Sequence, residues 1–197
     1  MVQGHFYRFW ELRESDVVLV HYSTYHLAPA LLARWFFGVP FVMAFHGGDV
    51  RLSDVPPWSR NLWRWFQMFT ARRASRIVFC SLRLMKDAGD FDEYKDKMVV
   101  IYNPVEEYPQ STEDDDSIIW VGSRKREKDI DTAISVFEIL ASRHQRLRVK
   151  MMIGVPHETL LKELASSSVL LSTSTAEGLP MTILEAMKMG KTGRRPL

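Results

Sequence analysis

The sequence predicts an α/β protein made of two parallel-sheet domains. Two observations carry that reading. Short apolar runs rich in β-branched residues alternate with stretches of helical periodicity, and the alternation halts at one acidic segment before restarting. Of the 197 residues, 46% are hydrophobic and 12% aromatic, which is enough apolar material for a real core.

The first run, Asp16 to His21, reads as a buried strand. "LAPALLARWFF" (27–37) follows as a helix, stopped by Gly38-Val39-Pro40, and "FVMAF" (41–45) is the next strand. Leu62, Trp65, Phe66 and Phe69 then recur at helical spacing, a stripe suited to covering a sheet. "RIVFCS" (76–81) and "MVVIYNPV" (98–105) are two further strands. The polar, acidic stretch that follows puts a linker at 108–116, between domains 1–107 and 117–197. Beyond it come strand 117–122, helix 129–143, strand "LRVKMMIG", helix 157–167, strand 169–175 and a last helix from Pro180 to Met189, with Gly190 as its stop. Both domains are therefore Rossmann-like.

Net charge narrows the function. A balance of +2 gives no bulk attraction to polyanions, so nucleic acid is not an expected partner. The lone Cys80 excludes an internal disulfide and suits a reducing compartment. The amino-terminal stretch has no apolar core like that of a secretory leader, and Leu31–Phe45 is broken by Arg34, Gly38 and Pro40, a poor membrane span. A soluble, cytoplasmic protein is expected. The aromatic and arginine-rich segment 58–76 suits packing first and peripheral contact with the cytoplasmic membrane face second.

Three places hold candidate chemistry. After strand 117–122, Gly122, Ser123, Arg124, Lys125, Arg126 and Lys128 form a basic loop at the sheet's carboxyl edge. It suits a diphosphate, or is a solvated turn. In "STAEGLPMTILEAM", Glu177 precedes a helix and Glu185 lies inside it. Each carboxylate matches a sugar diol, yet spacing alone favours a helix-start charge and a solvent-facing residue. His46, in "FHGGD", either meets a ligand oxygen or is a hydrogen-bonded histidine of a tight turn. No histidine has metal-ligand spacing, and the Asp114–Asp116 run reads as a solvated spacer, so neither metal nor cofactor is expected.

Together, "HGGD", "SRIVFCS", "IYNPV", the Gly122–Lys128 loop and "EGLPMTILEAMKMG" resemble the retaining, nucleotide-sugar-dependent glycosyltransferases of the GT-B fold, those grouped as "glycosyl transferases group 1". The resemblance spans most of residues 15–191 and is most specific at the E-x7-E motif from Glu177 to Glu185. It implies a hexosyltransferase that binds a nucleotide-sugar donor and a glycan, lipid-linked or small-molecule acceptor. Glu177 matches the glutamate beside the transferred sugar, and Glu185 the one that holds the ribose hydroxyls. The backbone of Gly178, Leu179, Pro180, Met181 and Thr182 matches the diphosphate cradle, Lys128 the phosphate lysine, and His46 the histidine at the reaction centre. The family arginine after the loop glycine is replaced by Ser123, with Arg124 next.

Three departures stand out against that pattern. No glycine-rich βα unit precedes the first strand, "MMIG" runs directly into "VPHE" without an intervening unit, and the ending "TGRRPL" carries no apolar pattern. Both domains are thus expected to be incomplete, with apolar edges exposed. A catalytically incompetent fragment or truncated relative, acting as a nucleotide-sugar-binding or accessory subunit, is the alternative reading.

Overall fold

Parallel pairing throughout both sheets organises the chain. The structure, a computed structural model, describes residues 9–22, 26–52, 55–108, 115–190 and 192–194 (backbone only at 115 and 192–194). The chain divides into two compact units, 1–103 and 104–197. Residues 109–114, which hold most of the expected linker and the start of its acidic run, lie outside the described residues.

In the first unit, β1 (Val18–His21), β2 (Phe41–Phe45), β3 (Arg76–Phe79) and β4 (Met98–Val100) lie side by side in sequence order, all parallel. Their buried side chains, Val20, Phe41, Met43, Phe45, Ile77 and Phe79, make the core. Phe45 stacks on Phe79 at 5.3 Å, and Phe91 meets Phe45 edge-on at 5.1 Å. Helix α1 (Leu27–Phe37) buries Leu27, Ala30, Leu31 and Ala33, and ends at Gly38 in the left-handed region, φ 74°. A single helical turn, α2 (Gly48–Arg51), and helix α3 (Arg60–Ala71) lie between β2 and β3; α4 (Leu82–Asp87) follows β3.

Two expectations change here. The fourth strand stops at Val100, not at residue 105. Ile101 N–H still donates to Phe79 O, but Pro104 has no N–H to continue the ladder. More consequential, α3 does not cover the sheet with its apolar stripe. Leu62 and Trp65 are 66% and 60% exposed, and the buried helix residues are Gln67, Thr70 and Ala71. The polar pair can face inward because each is satisfied. Gln67 Nε2 donates to Asp49 O at 3.0 Å, and Thr70 Oγ1 to Phe66 O at 2.7 Å. Arg64 also donates to Val50 O, fixing the helix against the turn at α2.

The second unit has sheet order β6-β5-β7-β8, again all parallel, from β5 (Asp115–Gly122), β6 (Arg148–Ile153), β7 (Ser167–Leu171) and β8 (Thr192–Arg194). Helices α5 (Ile130–Arg143), α6 (His157–Ser166) and α7 (Met181–Lys188) cover it. Alternation along β5 feeds two cores. Ile119 packs with Leu164, Leu170, Ala186 and Met189, while Trp120 packs with Ala133, Phe137 and Leu171. The third strand of this unit runs 167–171 where 169–175 was expected, because residues 172–175 leave the sheet to pair with the loop before α5. The polar ending gains a short strand that composition did not announce. An edge strand needs only backbone pairing.

Candidate functional site

Each unit presents chemistry at the carboxyl end of its sheet, where α/β folds bind ligands. In the second unit, Trp120 Nε1–H donates to Thr173 Oγ1 at 2.9 Å, and that hydroxyl lies 2.7 and 2.9 Å from the carbonyls of Lys128 and Asp129. Thr175 N–H donates to Glu127 O at 2.9 Å. The two loops at the ends of β5 and β7 are thereby tied together. Asp129, left-handed at φ 47°, caps α5 by accepting from Thr132 N–H and Oγ1–H.

That tie brings Lys128 Nζ within 2.6 Å of Glu177 Oε1. Both side chains line a cleft of about 230 Å³, together with Ser172, Ser174 and the start of α7 from Leu179 to Thr182. Pro180 is the N-cap, and its carbonyl accepts from Ile183 and Leu184 N–H at 3.0 and 3.2 Å. The amino end of α7 therefore opens at the cleft, with the partial positive charge of a helix start. Of the basic run only Lys128 lines it; Arg124, Lys125 and Arg126 are exposed. Gly122 has a structural reason to be glycine. A Cβ there would sit 2.5 Å from the Trp120 ring.

Glu185 does not line this cleft and does not face solvent. It is buried in α7, with His157 Nε2 3.8 Å from its Oε1. Burial pushes its carboxyl above the ordinary range; His157 opposes the rise and Glu106 adds to it. A carboxyl with a raised folded-state pKa holds a proton that the unfolded chain has released. Stability therefore falls as pH climbs from the unfolded value, roughly 4.3, through the raised one. Glu185→Gln is expected to melt above the parent at pH 8 and together with it near pH 4. An equal offset at both pH values, in thermal melts, would refute this.

In the first unit, His46 ends β2 where the backbone turns on Gly47, φ 139°, a conformation that favours glycine. The buried Asp49 carboxylate holds the turn, accepting from His46 N–H at 3.0 Å and Gly47 N–H at 2.8 Å. His46 Nε2 lies 2.9 Å from His21 Nδ1, and the Tyr22 ring sits 5.0 Å from the His46 ring. One imidazole must donate and the other accept, so both cannot be charged. Burial holds His46 below the usual histidine range, with Asp49 opposing and His21 reinforcing. His21 and Tyr22, which has φ 55°, were missed from sequence. Each histidine follows an apolar run that reads as a strand, but the register that sets His21 beside Ala44, two positions before His46, is a property of the fold and not of the sequence.

Among the described residues no group of three or more His, Cys, Asp or Glu is placed to hold a metal, and no helix is long and apolar enough to cross a membrane.

The family model of the glycosyl transferase 4-like domain matches residues 3–104. The chain belongs to this family. No curated protein matches the sequence. Solved glycosyltransferases of the GT-B fold share its architecture. S. aureus TarM superposes with TM-score 0.70 at 12% identity, covering 95% of this chain and 43% of that one. Anabaena HepE, solved with UDP, gives 0.67 at 16%, covering 94% and 60%. The lipopolysaccharide outer core galactosyltransferase WaaB gives 0.57 at 18%, covering 96% and 59%. This glycosyl transferase 4-like chain thus spans about half the length of those enzymes, and at such identities the likeness is one of fold.

Proposed function

We propose that the chain binds a nucleoside-diphosphate sugar in the Lys128–Glu177 cleft and serves a hexosyl transfer that retains anomeric configuration. The observation that carries this is the 2.6 Å ion pair at the amino end of α7. A cation, a helix start and a carboxylate share one small cleft there, which suits a diphosphate next to a sugar. The family match supports a transferase, and relatives of the same fold were solved with UDP.

In this reading Lys128 and the α7 amides stabilise the diphosphate as the anomeric C–O bond breaks. Glu177 accepts from the sugar hydroxyls, and Glu185, buried further along α7, takes the two ribose hydroxyls only once donor binding uncovers and ionises it. The acceptor hydroxyl, on a glycan, a lipid-linked carrier or a small molecule, forms the new C–O bond on the face the diphosphate leaves. Its proton passes to the departing diphosphate oxygen. In the first unit, His21 sets the tautomer of His46 through their shared hydrogen bond. The reading uses no metal and no cofactor.

A second reading follows from length. A chain covering 43% to 60% of its neighbours could bind the donor without turning it over. Calorimetric titration with UDP, GDP and ADP, followed by a transfer assay with the matching sugar nucleotide, separates the two. Binding that is lost in Glu185→Ala, with transfer, supports the enzyme. Binding without transfer supports the donor-binding subunit, and no binding to any nucleotide refutes both.

A further inference from the structure

We propose that the outward face of α3, with the adjoining end of α1, docks on an anionic lipid surface. The unexplained feature is the orientation of α3, whose polar Gln67 and Thr70 are fully buried while Leu62 and Trp65 face out. Trp58, in the turn before the helix, falls at i, Leu62 at i+4, Trp65 at i+7 and Phe69 at i+11, one continuous stripe. Trp65 stacks on Phe69 at 5.3 Å, and Trp35 of α1 meets Phe69 edge-on at 6.3 Å. Trp35 and Phe36 are themselves exposed. The result is an aromatic surface drawn from two helices of the same unit.

Charge selects the occupant. Residues 58–76 hold five arginines and no aspartate or glutamate. Arg64 turns inward and pairs with Asp90 at 3.1 Å. Arg73 lies over Phe69, 3.7 Å from the ring centre, and so joins the aromatic surface. Arg72 is exposed at the C-cap of α3, Arg76 is exposed at the start of β3, and Arg34 is exposed on α1. A protein partner matched to such a face would have to bury several guanidinium groups, each at the cost of its hydration. At a bilayer interface the indole rings sit at headgroup depth while arginine side chains reach the phosphates, so both groups are satisfied together. Anionic headgroups supply the countercharge.

The test uses the full chain with vesicles of phosphatidylcholine alone or mixed with phosphatidylglycerol. Co-sedimentation is expected with the anionic vesicles only, to weaken at high salt, and to be abolished in Trp58→Ser/Leu62→Ser/Trp65→Ser. Neutralising Arg72 or Arg76 with glutamine should weaken binding about fivefold each. These side chains are exposed, so thermal melts of the variants should match the parent. Quenching of the unaltered chain's tryptophan fluorescence by brominated phosphatidylglycerol gives a second readout that needs no variant. No binding to anionic vesicles, binding equal on neutral ones, or binding unchanged in the triple variant would overturn the proposal. So would a self-association, seen by sedimentation velocity, that the triple variant abolishes in a chain without lipid affinity.

Discussion

Lys128→Ala is expected to weaken nucleoside-diphosphate binding by about 10- to 100-fold, whereas Glu177→Gln should strengthen it and stop transfer. The first effect is the loss of a charge-assisted bond to phosphate, worth about 1.5–3 kcal/mol in a half-buried cleft. The second follows from the ion pair. Without donor, Lys128 Nζ is neutralised by Glu177 at 2.6 Å. A phosphate must compete with that carboxylate, and glutamine removes the competitor while keeping the shape. Titration calorimetry on the two single variants and the double variant gives the coupling directly. If Glu177→Gln weakened nucleotide binding as much as Lys128→Ala, the carboxylate would be a nucleotide contact and the assignment of Glu177 to the sugar would fail.

What could be read in the sequence was what depends on short-range pattern. Apolar runs such as "FVMAF" and "RIVF" became β2 and β3 because a parallel strand covered on both sides tolerates no polar interruption. The candidate loops followed, since parallel strands put their carboxyl ends on one edge. What escaped was set by partners far along the chain. Gln67 can be buried because Asp49 O accepts from it, 18 residues away, a partner that the amphipathic pattern of α3 does not announce. The Lys128–Glu177 pair spans 49 residues, and the His21–His46 pair 25. Spacing in sequence announces neither. Glu185 looked solvent-facing because helical periodicity says which residues share a face, not what covers that face.

Trp120 carries the largest expected effect on stability, and it also joins the fold to the cleft. It is the largest fully buried side chain, set between β5 and α5, and its indole N–H holds the Thr173 hydroxyl that meets the Lys128 carbonyl. Trp120→Ala should cost about 3–5 kcal/mol, which lowers the melting temperature of a unit this small by about 15–30 °C. Gly122→Ala tests the same packing from the other side. Its Cβ would lie 2.5 and 2.8 Å from the Trp120 ring, so the indole must shift, at about 1–3 kcal/mol. Trp120→Phe removes the clashing ring, and the double variant should be less destabilised than the sum of the two single changes. Melts of the three variants decide the matter, and strict additivity would place the cost of Gly122→Ala elsewhere. Nucleotide affinity should fall in Gly122→Ala but not track melting temperature across unrelated core variants such as Leu164→Ala, because only the Trp120–Thr173 chain of contacts reaches Lys128.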